Sequence, residues 1–348
     1  MKQDAINHIQ SVISNQGLDE AEMMQQIKHL VYEFETKDKL IKESKPILEL
    51  AKENLKTFQN SELSPDLIKT EFKALDMAIG GLSLGEFVVI GGRPSMGKTQ
   101  FLVSLALNLS IETPILYFTF DLSQAAITNR FISALSGVAV NKLIQNSLDT
   151  KDRAKLVNVE MELEQRRILI NDSSNSSISV LKSQCLKHIQ EDGVKIIIVD
   201  FLQMMSSNRY RNSREVEIGY ISRELKNIAK DNNVCVIASS QLSRAVESRG
   251  GDKRPMLSDL RESGAIEQDA DKVIFIHRPE YYGFLEDEDG NSTIGVAEIL
   301  IAKNRNGKVD DIKLMVDKDF TKFKDFELMK REFTISSYRL DEIDNSPL

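Results

Sequence analysis

The stretch EFVVIGGRPSMGKT, residues 86–99, decides the fold. Its first half, 86–91, is an apolar run bounded by glycine and reads as a buried strand. Its second half, Gly92-Arg93-Pro94-Ser95-Met96-Gly97-Lys98-Thr99, matches G-x-x-x-x-G-K-[ST] in full. An apolar helix is expected over 98–110. Strand, glycine-rich loop and helix in that order are the context in which this motif carries chemistry. The glycines let backbone N–H groups close around phosphates, and the helix start turns its positive end toward the same anion. Lys98 would reach the outer phosphates of a nucleotide and Thr99 would hold Mg²⁺, with ATP as the expected ligand. Residues 92–99, together with Gln100, are the expected nucleotide contacts.

Outward from this loop, short β-rich runs alternate with helical stretches. Strands are expected at 114–120, 167–171, 194–200, 234–239, 272–277 and 296–302. Helices are expected at 123–135, 178–191 and 214–231. Several strand runs are continuously apolar instead of alternating, as in strands buried on both faces of a parallel sheet. The alternation predicts an α/β fold wound around one central sheet. Asp200 closes the run Ile196-Ile197-Ile198-Val199 and reads as the carboxylate opposite the P-loop threonine. Asp121 ends the strand Tyr117-Phe118-Thr119-Phe120 and is the best-placed carboxylate to act as base. Gln241, after the strand 234–239, is placed to sense a γ-phosphate or an attacking water.

The first 66 residues read differently. They hold 8 Lys+Arg against 12 Asp+Glu and no strand-like run. Asp19 and Glu22 form a capping-box pattern. Ile27, Phe34, Ile41, Leu48 and Leu55 recur every seven residues, a helical seam that needs a partner surface. Pro46 divides the segment into helices at about 19–43 and 46–58.

The 348-residue chain carries 45 Lys+Arg and 53 Asp+Glu, a net charge of −8. That excludes a protein that coats nucleic acid with its whole surface, but leaves room for a local basic channel. Basic residues do cluster locally: Arg209, Arg211 and Arg214 within six residues, and Arg244, Arg249, Lys253 and Arg254 in a glycine-containing loop that nets +2. Such loops suit phosphate contact without base readout. Two cysteines, Cys185 and Cys235, and four scattered histidines offer no metal-ligand spacing and point to a reducing cytosol. No stretch reaches the roughly 18–20 apolar residues of a membrane span.

GGRPSMGKT (91–99), IIIVDFLQMM (196–205), SSQLSRAVESRGGDKRPMLSDLRESGAIEQDAD (239–271) and AKNRNGK (302–308) resemble the DnaB-type replicative DNA helicases, across residues 65–320. The resemblance implies a RecA-like motor domain that forms hexameric rings, hydrolyses ATP between subunits and moves 5′→3′ along single-stranded DNA. It implies Lys98, Thr99, Asp200 and Gln241 in the roles given above. Lys303 and Arg305 resemble the basic pair that enters a neighbour's ATP site, with Arg305 as the arginine finger. Arg261, Glu262 and Gly264 look like DNA-backbone contacts, alongside Arg209, Arg211, Arg244 and Arg249. A primase and a helicase loader are the implied protein partners. The expected division is a helical segment with linker helix at 1–60, a linker at 61–71, the motor at 72–330 and a tail at 331–348.

Two departures stand out. The family usually has Glu where this chain has Asp121, one methylene shorter, which predicts slower hydrolysis or a relaying water. It also has a longer helical N-terminal domain than the roughly 60 residues here, although 46–58 matches the place of the linker helix. A RecA-, RadA- or KaiC-like ATPase and a non-motor ATP switch that partners a helicase are the competing readings.

Overall fold

The computed structural model describes residues 2–14, 23–24, 27, 44–59, 66–207, 210, 213–260, 264–317, 319 and 321–326. The chain divides into two compact units, Met1–Pro65 and Asp66–Leu348.

In the first unit, α1 spans Lys2–Ile13 and α2 spans Ile47–Gln59. Pro46 stands immediately before α2, where its missing N–H costs no helical hydrogen bond. Among the described residues, Leu48 and Leu55 of the heptad seam are exposed, as is Ile47. The helix expected over 19–43 lies outside the described residues apart from 23, 24 and 27, which are helical.

The second unit opens with β1 (Leu67–Ile68), α3 (Lys73–Ile79) and β2 (Leu82–Ser83). The antiparallel pairing of β1 with β2 brings residues read as linker into this unit. There follow β3 (Phe87–Gly92), α4 (Lys98–Leu109), β4 (Ile115–Thr119) and α5 (Gln124–Ser136). The short helices α6 (Val140–Ile144), α7 (Thr150–Leu156) and α8 (Val159–Glu164) lead to β5 (Ile168–Asn171). Then come α9 (Ile178–Glu191), β6 (Ile196–Asp200), α10 (Arg214–Asn232), β7 (Cys235–Gln241) and α11 (Ala245–Ser248). The chain ends its described course with α12 (Gly264–Asp269), β8 (Lys272–His277), β9 (Val296–Asn304), β10 (Asp310–Val316) and β11 (Phe323–Asp325).

Among the described residues, nine strands form one sheet in the order β11-β10-β9-β8-β3-β7-β6-β4-β5. The pairs from β8 through β3, β7, β6 and β4 to β5 are parallel. The pairs β8–β9, β9–β10 and β10–β11 are antiparallel. The continuously apolar strands are explained by burial on both faces. Val88 and Ile90 of β3, with Ile196 and Ile198 of β6, join the core beneath α4 and α5. Phe87 and Val89, with Ile197 and Val199, join the core beneath α9 and α10. Successive side chains point to opposite faces, so a strand covered on both sides has no polar alternate. Phe101 of α4 anchors the first core, stacked on Phe72 and edge-on to Phe323. Cys235 lies in the first core and Cys185 in the second, both as buried free thiols whose pKa burial pushes up.

Candidate active site

The parallel register sets Gly92 of β3 beside Gln241 of β7, and Thr119 of β4 beside Asp200 of β6. The P-loop, Gln241 and Asp200 therefore share the C-terminal edge of the sheet, where open α/β sheets place their ligands. Asp121 is exposed two residues beyond the end of β4, on the same edge. Its neighbour Phe120 donates its backbone N–H to the Asp200 carbonyl at 2.9 Å, which holds the two carboxylate-bearing strand ends together.

The loop needs its backbone shape. Ser95 and Gly97 take positive φ, 65° and 95°, and Gly97 caps the N-terminus of α4. A Cβ on Gly91 would come within 2.5 Å of the Phe275 ring on β8, so only glycine fits there. Lys98 is the first residue of α4, and its ammonium donates to the Gly92 and Arg93 carbonyls at 2.8 and 3.0 Å. Burial lowers its pKa from 10.5 to about 8, against the opposing attraction of Asp200. A half-buried cation whose hydrogen bonds go to neutral carbonyls is a site suited to an anion.

Asp200 is itself buried and oriented. Its Oδ1 accepts from the Ser239 hydroxyl at 2.5 Å and its Oδ2 from the Tyr117 hydroxyl at 3.2 Å. Burial and the Asp200 charge together push the Tyr117 pKa up, which keeps that hydroxyl a donor. Gln241 is clamped by Gln203. Its N–H donates to Gln203 Oε1 at 3.0 Å, while Gln203 Nε2 donates to the Gln241 carbonyl at 3.3 Å and to Ser240 at 2.9 Å. Ser239, Tyr117 and Gln203 had no assigned role in the sequence. The strand register brings Ser239 and Tyr117 to Asp200, and the turn that follows β6 brings Gln203 to Gln241.

Two residues of the stretch expected to bind nucleotide turn their side chains into the fold. Arg93 donates to the Leu242 carbonyl at 2.7 Å and pairs with Glu247 at 2.8 Å, tying the P-loop to the segment after β7. The Gln100 amide donates to the Thr321 carbonyl. Their backbones remain at the loop.

Lys303 and Arg305 lie elsewhere. β9 runs antiparallel to β8, and Lys272 pairs with Asn304 while also lying beside Val88, near the start of β3. The pair thus sits at the N-terminal edge of the sheet, the edge away from this chain's own P-loop. Lys303 donates to the Glu267 carbonyl at 2.6 Å. Arg305 pairs with Asp271 at 3.0 Å and also donates to the Gln268 carbonyl.

Of the residues expected to touch DNA, Arg209, Arg211, Arg261 and Glu262 lie outside the described residues. Gly264 is the exposed first residue of α12, and Arg244 is exposed just before α11. Arg249 instead spans its own loop, donating to the Arg254 carbonyl at 3.0 Å and to Asp259 at 2.5 Å. Arg214 also turns inward, to the Gln203 and Met205 carbonyls and to Glu217.

A mostly parallel sheet with a positive-φ phosphate loop, a half-buried lysine at a helix start and an oriented aspartate on a nearby strand defines a P-loop nucleotide-binding domain. Residues 68–325 match the DnaB-like helicase C terminal domain, and the chain belongs to that family. It is 36% identical over 286 residues to the replicative DNA helicase DnaC of Bacillus subtilis, covering 81% of this chain and 62% of that relative. It is 38% identical over 261 residues to the replicative DNA helicase DnaB of Haemophilus influenzae, covering 74% and 54%. The chain therefore spans less than two thirds of these relatives. Its fold resembles the solved structure of a DnaB-like replicative helicase and its interactions with primase, with a TM-score of 0.77 and 30% identity over 93% of this chain and 76% of that one. It also resembles a solved ATPase domain, with a TM-score of 0.73 and 32% identity over 82% of this chain and 100% of that one. Among the described residues, no helix is long and apolar enough to cross a membrane.

Proposed function

We propose that this chain is an ATP-driven replicative DNA helicase. In this reading it assembles as a ring, a hexamer, moves 5′→3′ on single-stranded DNA in the cytoplasm and unwinds forked duplex. The observation that carries the reading is the separation of two half-sites within a chain of this family. The P-loop, Asp200 and Gln241 share one sheet edge, while Lys303 and Arg305 sit at the other. A chain built this way completes an ATP site with a second copy, and a head-to-tail interface of that kind forms a ring where its rotation closes.

Within the site, Lys98 and the P-loop amides bind the phosphates. Asp121 orients the attacking water, and Gln241 senses the γ-phosphate. The Thr99 hydroxyl and the Asp200 carboxylate are hard oxygen donors of the kind that hold Mg²⁺, which would neutralise charge on the β- and γ-oxygens. Arg244, Gly264 and the residues around 209–211 and 261–262 track the DNA backbone. Primase and loader contacts belong to the same reading.

The test is strand displacement on a forked duplex with a 5′ tail. ATP-dependent unwinding supports the motor. DNA binding and ATP turnover without unwinding would replace it with the non-motor switch, a reading that the shorter Asp121 favours.

Two further outcomes bear on the site. Ser239→Ala removes one of the hydroxyls that orient Asp200. It should cost on the order of tenfold to a hundredfold in turnover at low Mg²⁺. A Mg²⁺ titration should show most of that loss recovered at high Mg²⁺. Asp121→Glu restores the longer carboxylate, and a group misplaced by about 1 Å can cost on the order of a hundredfold. Steady-state ATP turnover should therefore rise in Asp121→Glu. A large fall would show that the shorter side chain is no handicap.

A further inference from the structure

We propose that Asp271 is a positioning residue for Arg305, holding its guanidinium in the geometry needed to serve a neighbouring ATP site. This inference rests on the reading of Arg305 as the residue supplied in trans.

Asp271 stands two residues beyond the end of α12 and immediately before the first residue of β8. Both its main chain and its side chain engage Arg305. The Asp271 carbonyl accepts the Arg305 backbone N–H at 2.9 Å, and its Oδ1 accepts Arg305 Nη1 at 3.0 Å. The Gln268 carbonyl takes Nη2. Two terminal nitrogens of the planar fork are thereby fixed by different partners, which sets the plane of the guanidinium as well as its place. The Arg305 side chain nevertheless stays 44% exposed, so the held group still faces outward.

Asp271 is anchored from behind. Its Oδ2 accepts the backbone N–H of Phe87 at 2.7 Å and the Lys226 ammonium of α10 at 2.6 Å. Phe87 begins β3, the strand that ends in the P-loop. The orientation of Arg305 is therefore referenced to the backbone of the strand that carries this chain's own phosphate loop.

The surroundings of the turn are braced in the same way. Lys303 is tied to the Glu267 carbonyl of α12 at 2.6 Å. Asn306 donates to Glu86 at 3.0 Å, and Glu86 forms a buried pair with Lys272. A flexible arginine on an unbraced turn would have to be ordered at every turnover. Holding it beforehand removes that cost from the catalytic step.

The test uses the full chain assembled with ATP, Mg²⁺ and single-stranded DNA. Asp271→Asn should lower kcat by about tenfold to a hundredfold and leave the KM for ATP within about twofold. Lys226→Met breaks the same ion network but leaves Asp271 with Arg305, and should stay within about threefold of wild-type kcat. If Asp271 were only structural, both variants would lose activity in step with their losses in Tm, and that result would overturn the proposal.

Mixing supplies a readout that folding alone cannot move. Asp271→Asn and Lys98→Ala are each weak alone. Mixed equally, about a quarter of head-to-tail interfaces would join an intact Lys98 to an intact Asp271, and turnover should recover accordingly. Recovery with the pair Arg305→Ala and Lys98→Ala, but none with Asp271→Asn and Lys98→Ala, rejects the role of Asp271 alone. Failure of both pairs rejects the trans reading of Arg305 beneath it. Should Asp271→Asn not fold, Arg305→Lys keeps the charge on a partly exposed side chain but loses the planar fork and with it the two-point hold. It should lose at least about tenfold in kcat, and wild-type turnover in Arg305→Lys would overturn the proposal.

Discussion

Replacing Lys98 with alanine is expected to lower ATP turnover by at least about a hundredfold to a thousandfold, the scale of removing one preorganised electrostatic partner. Nucleotide binding should weaken with it. The reason lies in how the lysine is held. It is half-buried at the start of α4, bonded to the Gly92 and Arg93 carbonyls, and its pKa stands at about 8. A bound phosphate raises that pKa, so binding takes up a proton wherever Lys98 is neutral in the free protein. Nucleotide affinity is therefore full below pH 8 and falls up to about tenfold per pH unit above it. Fold stability moves the other way. The folded pKa lies below the unfolded value of 10.5, so the cost of burying the charge is present below pH 8 and relaxes as pH rises toward 10.5. Calorimetric titrations at pH 7, 8 and 9 check the first sign, and thermal melts over the same range check the second. Flat affinity in the wild type would remove the proton linkage. Lys98→Ala should show neither slope, and its Tm at pH 7 should not fall.

The parts of this fold that could be read from sequence are those whose cause is local. The P-loop carries its own geometry in its glycines. The runs ending at Gly92, Thr119 and Asp200 are apolar throughout because both faces are covered. The edge strands are a different case. β10 has exposed and buried positions mixed along it and β11 is three residues long, so neither stands out until β9 supplies the antiparallel partner. In the candidate site, Lys98, Thr99, Asp200 and Gln241 stood out in the sequence because each falls in a motif or at a strand end. Tyr117 and Ser239 did not, because hydroxyls inside strand runs declare a role only when the register brings them to Asp200. The basic residues show the same limit from the other side. Sequence displays the charge of Arg93 but not its partner Glu247, 154 positions away. It likewise counts Arg249 as a free cation although Asp259 takes it. Asp271 lay inside the most distinctive string of the chain, yet its tie to Arg305 depends on β9 returning beside β8.

Replacing Arg305 with alanine is expected to lower kcat by about a thousandfold or more, the range of a transition-state cation supplied by a neighbour, while ATP affinity stays within a few-fold. The sheet places Arg305 out of reach of its own P-loop, so a direct action on bound phosphates would have to be intermolecular. Phe87 and Gly92 are separated by five strand steps, roughly 17 Å. Arg305 stands at the Phe87 end, bound through Asp271 to the Phe87 backbone. An arginine side chain spans less than half that length, so it cannot reach the phosphates held at Gly92. Two consequences follow that separate this residue from Lys98. Nucleotide binding by Arg305→Ala, measured with a fluorescent analogue, should match the wild type, whereas Lys98→Ala should not. Turnover per protomer in the wild type should also rise with protein concentration as interfaces form, and should stay low and flat in Arg305→Ala across the same range. Hydrolysis at the wild-type rate by assembled Arg305→Ala would remove the trans assignment. A wild-type rate per protomer independent of concentration, down to dilutions where sedimentation shows only monomers, would place a complete site within one chain and require a different cation near Gly92.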